Sequence, residues 1–524
     1  MKTRVLSLVL ATVMIFGAIS LSSCGKKSFD YSSEDLSAYI TLTEKDYTNV
    51  PVSIPTGVTA PQMYTEITSA ISALTDEQIA SLVKTDAVAE NDIVAVYYRG
   101  VLVDEDGKET GFEGGTNLGE DKPTWLYIGS DAFIDGFEDA LIGKNSADSS
   151  ITAITEGTVG ADDLIVLDIV GTYGEEKYYM AYESLSVKLD ETDILSQEII
   201  DKIVGSAVGE ELLFDITVDA DGDKTDDQVI FAAKVLSKLY VKAEKISVTF
   251  PSDYSNTALA GKDAFFYVVI EDVVDVDAGL LEALGYEAGD DAVAALKAGA
   301  EKALVLEYID SLKGEDGKSE NYADTIKAAI WDAIAGADYD VVYPANTIES
   351  YIKTEKNNLE YAYNAGADAE SIQSTYKTLD AYAAYVYGDE DWEAVISSDA
   401  KDFVKRKLVF YTVAKTLGVN EATKAEKKEA KAELEASYYD YYNQLYSIYN
   451  VLGGWGYTAE QVKDIAENQA KAAVESTTDT YIREIVIKGK ILDKLYEGYD
   501  VDTLVTWTTA VAEPEAEQEA EAAE

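Results

Sequence analysis

The chain has no histidine, a single cysteine and fewer than half as many basic as acidic residues. Without histidine the usual general base and the commonest metal ligand are missing, so Ser-His-Asp, Cys-His and histidine-zinc chemistry are excluded. One cysteine, Cys24, cannot build an internal disulfide framework. Lys and Arg total 42 against 98 Asp and Glu, and the formal charge of −56 argues against binding nucleic acid by neutralising phosphates. Its plainest consequence is solubility through charge repulsion. Beyond Ile19 no stretch approaches the roughly 18 consecutive apolar residues of a spanning helix. What is present is a chain of 524 residues, 47% hydrophobic and 27% charged, long enough for several domains that each bury a core.

Lys2 and Arg4 form a charged start, Val5 to Ile19 an apolar run, and Leu21-Ser22-Ser23-Cys24 ends it at small residues. This pattern resembles the lipobox of bacterial lipoproteins. The resemblance implies cleavage before Cys24 and acyl groups on that residue, which would hold an extracytoplasmic protein to the bacterial cell membrane. An uncleaved anchor and an ordinary secretory signal are the alternatives. Gly25 to Glu34 reads as a flexible tether.

Ser37 to Val52 reads as an extended lead-in segment, Ala60 to Leu74 as a helix, and Thr75-x-x-Gln78 as the capping box of a shorter helix to Val83. Asp92 to Gly100 alternates as a two-faced strand, with hairpin turn chemistry at Asp106-Gly107. Gly111-Phe112-Glu113-Gly114-Gly115 and Phe133-Ile134-Asp135-Gly136-Phe137-Glu138 follow. Together these motifs resemble the FKBP-type peptidyl-prolyl isomerases in the version carried by trigger factor. The match is completed only at Val248 to Tyr254 and Leu259 to Phe266, so roughly a hundred residues between Gly143 and Val248 interrupt the barrel as an inserted domain.

The insertion reads as a worn second copy. Asp163 to Gly171 repeats the spacing of Asp92 to Gly100, Ile199 to Gly205 that of Phe137 to Gly143, and Val208 to Val218 supplies the following turn and strand. Ile169, Leu195, Glu198 and Ile199 replace Tyr98, Phe133, Gly136 and Phe137, which implies a non-catalytic barrel; convergent strand patterning is the alternative.

From Val276 onward the spacing is helical, as in Leu296, Ala300, Ala303, Leu304, Tyr308 and Leu312. Pro344 opens a further helix, and helices follow around Phe403 to Leu417, Ala425 to Tyr449 and Ala459 to Leu495. Their order is similar to the C-terminal domain of trigger factors, whereas the ribosome-docking domain has no counterpart, so no ribosome binding is expected. Glu513 to Glu524 reads as a solvated acidic tail.

The expected fold is therefore α+β and multidomain. A signal peptide (1–23) and tether (24–34) precede a lead-in segment with helices (35–85). An FKBP-like antiparallel half-barrel (86–144 and 245–275) carries an inserted degenerate copy (145–244). An all-α trigger-factor-like domain (276–505) and a tail (506–524) complete it.

The resemblance implies a peptidyl-prolyl cis-trans isomerase and chaperone acting on unfolded or newly exported polypeptides with X-Pro bonds, with no cofactor and no metal. By the same resemblance the pocket is walled by Tyr98, Phe112, Phe133, Ile134, Phe137, Tyr254 and Val268. Phe137 would be its floor, the Ile134 amide a donor to the substrate carbonyl, Tyr254 a hydroxyl donor and Glu113 the acidic neighbour. Thr124 departs from a position that is commonly aromatic, with Trp125 beside it. The alternatives are that these aromatics are only barrel core, and that the chain is a non-catalytic holdase or binding lipoprotein. Asp219 to Asp223 superficially matches a calcium loop but fits a hairpin turn better, and the tyrosines from Tyr438 to Tyr449 suit either a client groove or helix packing.

Overall fold

The computed structural model describes residues 29–510, apart from 104–108, 119, 121, 175–176, 193, 220–226, 315–319, 367–368 and 454–455. The signal peptide, Cys24, the Asp106-Gly107 turn, most of the Asp219 to Asp223 loop and the Glu513 to Glu524 tail lie outside the described residues. Among those described, no helix is long and apolar enough to cross a membrane.

The strands in chain order are β1 (Val52–Pro55), β2 (Ile93–Val103), β3 (Glu109–Thr116), β4 (Thr124–Tyr127), β5 (Ser150–Ile154) and β6 (Leu164–Tyr173). Then come β7 (Lys177–Lys188), β8 (Glu211–Val218), β9 (Asp227–Lys242), β10 (Glu244–Thr249), β11 (Asp263–Val274) and β12 (Val505–Thr508). The helices are α1 (Ala60–Ser72), α2 (Asp76–Leu82), α3 (Gln197–Ile203), α4 (Ala278–Leu284), α5 (Ala292–Lys313), α6 (Glu320–Gly336) and α7 (Thr347–Ala365). After them follow α8 (Ala369–Thr375), α9 (Leu379–Tyr387), α10 (Trp392–Thr416), α11 (Lys424–Gly453), α12 (Ala459–Glu475), α13 (Asp479–Tyr496) and α14 (Val501–Leu504). The fold is α+β, with antiparallel sheets in one compact unit (Thr56–Ile309) and helices dominating the other (Pro55 and before, with Asp310–Thr508).

In the sheet unit, the apolar run Ile93 to Val96 at the start of β2 is buried on both faces. Val94 and Val96 join Leu126, Val268 and Ile270 on one side. Ile93 and Tyr127 lie on the other with Met63, Ile67 and Ile71, the four-residue-spaced stripe of α1, and with Leu280, Leu296 and Ala300. The sheet order is β10-β11-β2-β3, with β4 also on β2. Residues 143 to 243 leave and return between β4 and β10, and the second sheet they build runs β8-β9-β6-β7, the same order, with β5 also on β9. Gly171 faces Phe231 there as Gly100 faces Phe266 in the first sheet. The copy thus keeps an aromatic at this place, stacked on Phe214 at 5.4 Å, although the positions of Tyr98, Phe133 and Phe137 are aliphatic there. Arg99 of β2 forms an ion pair with Glu191 of the insertion, and the Gly111 amide donates to the Glu191 carbonyl at 3.2 Å.

The helical unit differs from expectation at both ends. Leu36, Ile40, Tyr47, Val52 and Ile54 of the lead-in segment are core, packed with Ile330, Leu408 and Ile487, and β1 pairs in parallel with β12. The tether ends earlier than Glu34, because Phe29 and Tyr31 pack as rings on one another and on Tyr39 and Tyr411. The tail starts later than 506, because Val505–Thr508 is held by the β1 ladder. Residues 276–309, expected with the helical domain, pack under the first sheet instead, where Leu280 and Leu296 find their apolar partners. The single helix expected from Ala459 to Leu495 is two, because Thr478 caps a new start by accepting from the Tyr481 amide at 3.1 Å.

The start of α11 is fixed by a reciprocal cap between Thr423 and Glu426, whose carboxylate also accepts from Lys490 on α13 at 2.7 Å. The Lys490 ammonium and the Thr423 donors lower the Glu426 pKa from 4.5 to about 2. A carboxyl depressed on folding stabilises the folded chain above its unfolded value and loses that contribution as pH falls through its folded one. This tie should therefore weaken between pH 4.5 and about 2. A carboxyl NMR titration checks it: Lys490→Met is expected to raise the Glu426 midpoint, and an unchanged midpoint contradicts the assignment.

Candidate functional site: an aromatic cleft on the first sheet

The cleft is built around a residue that has no side chain. Opposite Gly100 the β2–β3 register jumps, so that Thr116 faces Arg99 but Gly111 faces Val101. Phe112-Glu113-Gly114-Gly115 is extruded as a bulge, with Gly114 at φ +75°, a left-handed value that glycine adopts without strain. The Phe112 ring folds over the space at Gly100. A Cβ at residue 100 would stand 2.7 Å from the Phe266 ring and 2.8 Å from that of Phe112.

The rings then form one connected set. Phe266 meets Phe137 at 5.3 Å and 89°, Phe112 at 6.2 Å and 82°, and Tyr98 at 6.0 Å and 61°. Phe133 stacks on Phe137 at 5.1 Å, and Phe250 joins Phe112 (5.8 Å) to Tyr254 (4.9 Å). These are edge-to-face and offset geometries that favour aromatic pairs. Phe137 is 1% exposed, covered by the Phe133 ring, whereas Tyr254 is 36% exposed. Val268, opposite Tyr98 and fully buried, packs in the same cluster.

Two polar residues outside the expected set hold these groups in place. Asn117, buried in the gap between β3 and β4, accepts from the Tyr98 amide at 2.6 Å and donates to the Val96 carbonyl (3.0 Å) and Thr124 hydroxyl (2.9 Å). Glu138, also buried, accepts from the amides of Gly129 (2.8 Å), Ser130 (3.0 Å) and Ala132 (3.1 Å) and from the Ser130 hydroxyl (2.9 Å). That carboxylate pins the loop carrying Phe133 and Ile134. The Ile134 carbonyl accepts from the Phe137 amide at 2.9 Å, while its own amide has no acceptor among the described residues. Burial raises the pKa of the Tyr98 phenol, with Glu120 adding to the effect and Thr124 opposing it, so the hydroxyl stays protonated.

The structure thus brings Tyr98, Phe112, Phe133, Ile134, Phe137 and Val268 into one cluster, with Tyr254 attached through Phe250. Trp125 does not contribute; it lies on the opposite face of the sheet with the α1 cluster, leaving Thr124 on the cleft side. Glu113 sits in the bulge, but its side chain is outside the described set. Phe250, Phe266, Asn117 and Glu138 were not among the expected residues. Phe266 was signalled by its place two residues before Val268, on the same strand face. In the second sheet Ile169, Leu195 and Ile199 fill the corresponding space as buried aliphatics, and no four-residue bulge interrupts β7. Among the described residues no group of acidic, cysteine or histidine side chains is placed to hold a metal. The ring set offers an apolar surface, the Ile134 amide without an acceptor among the described residues, and the Tyr98 and Tyr254 hydroxyls.

No protein-family model matches the chain. It is 26% identical over 283 residues to the trigger factor of Rhizobium etli, an alignment covering 53% of this chain and 47% of that protein. It is 28% identical over 209 residues to the trigger factor of Streptococcus mutans, covering 40% and 45%. The chain thus spans about half the length of these curated relatives. One solved structure, described as "Promiscuous Substrate Recognition in Folding and Assembly Activities of the Trigger Factor Chaperone", matches 67% of this chain and 64% of its own at 14% identity and a TM-score of 0.18, too low to speak for the fold. An α+β multidomain chain with an aromatic cleft is the class that the fold and site define. Within it, the chain is trigger factor-like.

Gly100→Ala should destabilise the first sheet by about 1–3 kcal/mol, since two ring carbons must retreat from the new methyl group. Thermal unfolding of the variant checks this. Glu138→Ala should leave the folded β core intact while speeding amide hydrogen exchange at Ser130 and Ala132; unchanged exchange there would remove Glu138 from its positioning role.

Proposed function

We propose that the chain is an extracytoplasmic, membrane-anchored peptidyl-prolyl cis-trans isomerase and chaperone that assists the folding of exported proteins. Its first sheet would be the FKBP-like half-barrel, its insertion a degenerate copy and its helical unit the chaperone domain. The observation carrying this reading is the ring set around Phe137 and Phe266 with the unpaired Ile134 amide at its edge. Sequence similarity to trigger factors supports the chaperone role.

Rotation about an X-Pro bond faces a barrier of about 20 kcal/mol because the amide must give up its resonance. No nucleophile is needed. A twisted amide is less polar than a planar one, so a dry aromatic bed prefers it, and each tenfold in rate needs about 1.4 kcal/mol of such preference. In this reading the proline ring rests on Phe137 between Tyr98 and Phe112, and the Ile134 amide holds the preceding carbonyl. Tyr254 steadies the flanking chain from the rim. The clients are unfolded polypeptides with X-Pro bonds, and acylation of Cys24 supplies the anchor.

A second reading, a non-catalytic holdase lipoprotein, is favoured by one observation: with Trp125 on the far face, Thr124 leaves one wall of the cleft without a ring. A protease-coupled isomerisation assay on the chain processed at Cys24 separates the two. Wild type should exceed background, and Tyr98→Ala and Phe137→Ala should lose about tenfold or more. Background rates in all three, with aggregation of an unfolded client still suppressed, would establish the holdase instead.

A further inference from the structure

Within the helical unit, α6, α10, α11 and α13 line a half-open pocket of about 350 Å³. That is within the size range of small-molecule sites. Its walls are chiefly Trp331, Phe410, Leu434, Tyr481, Ile485 and Leu492. Four charged groups also line it: Lys407, Glu433, Glu484 and Lys488. Lys407 and Glu484 satisfy one another at 2.5 Å, and the Tyr411 hydroxyl donates to the same carboxylate at 2.7 Å. Lys488 also lines the cavity, with no carboxylate of the described residues within ion-pair distance. Burial pushes its pKa down; Asp332 opposes that from a distance and Arg406 adds to it. An ammonium without a counter-ion beside apolar walls is unfavourable, and an anion delivered to it would relieve the cost.

Gly489 supplies a second, independent observation. It lies inside α13, where glycine is less favourable than alanine and no left-handed backbone requires it. It also lines the cavity, and a Cβ built there meets nothing within 4 Å. Gly489 is exposed, so the missing side chain leaves the pocket open to solvent on that side.

We propose that this cavity binds a single-chain amphiphile with a carboxylate head, of the fatty-acid class, its apolar chain among the ring and aliphatic walls and its head on Lys488. The head is matched to Lys488 alone, since Lys407 is already engaged by Glu484, and a doubly charged phosphate head would crowd the Glu433 and Glu484 carboxylates. The overall charge of −56 disfavours loose association of such an anion elsewhere on the protein, so uptake is confined to a site that supplies its own cation. The proposal is independent of the isomerase cleft, which lies in the other unit.

The test is calorimetric titration of the full chain with dodecanoate and with uncharged dodecanol, each below its aggregation threshold. Wild type should bind one dodecanoate saturably. Lys488→Met should weaken dodecanoate about tenfold or more while leaving dodecanol unchanged, as removal of a charge-assisted contact requires. Gly489→Leu should block both without lowering the melting temperature. No saturable binding by wild type, or equal dodecanoate affinity in Lys488→Met, overturns the proposal. If Gly489→Leu fails to fold, the Lys488→Met comparison decides alone.

Discussion

The Phe266 ring touches Tyr98, Phe112 and Phe137, and it can do so only because residue 100 carries no side chain. This one steric vacancy ties together segments far apart in the chain: β2, the bulge within β3, the loop before Glu138 and β11. The ladder between β2 and β11 must form before the rings can meet, although more than a hundred residues separate the two strands. The cleft is thus a product of long-range closure, and the polar clamps at Asn117 and Glu138 sharpen an arrangement that the sheet has already imposed.

The second sheet makes the point by contrast. It keeps the strand order, the glycine opposite a phenylalanine and a helix in the place corresponding to the Phe137 turn. What it lacks is the bulge and the rings that the bulge admits. Aliphatic side chains at Ile169, Leu195 and Ile199 are buried there in the core of the domain. Architecture and site are therefore separable in this chain: the first is carried by alternation and glycine spacing, the second by four or five aromatic choices and one insertion of backbone.

Much of this was legible in the sequence because strand alternation and turn glycines are local signals. The capping box at Thr75-x-x-Gln78 is present as read, since it depends on residues three apart, and Thr458-x-x-Gln461 forms another of the same kind. The side of the sheet to which Trp125 belongs was not legible, because it is set by the pairing of Leu126 with Val94 across the ladder. Nor were Asn117 and Glu138, whose partners are backbone groups of distant or looped residues that no periodicity marks. The lead-in segment was misassigned for the same reason: Leu36, Ile40 and Val52 have no local periodicity, and their burial is set by helices beginning nearly three hundred residues later.

The parallel pairing of Val52–Pro55 with Val505–Thr508 gives the chain a definite order of completion. A polypeptide emerging from its amino end can assemble the β-sheets as soon as residue 309 is free, since their cores contain nothing later in sequence. The helical unit cannot do this. Its first strand must wait for nearly the whole chain to arrive, and until then Leu36, Ile40 and Val52 remain an uncovered greasy segment, so the protein itself passes through a period in which it needs shielding.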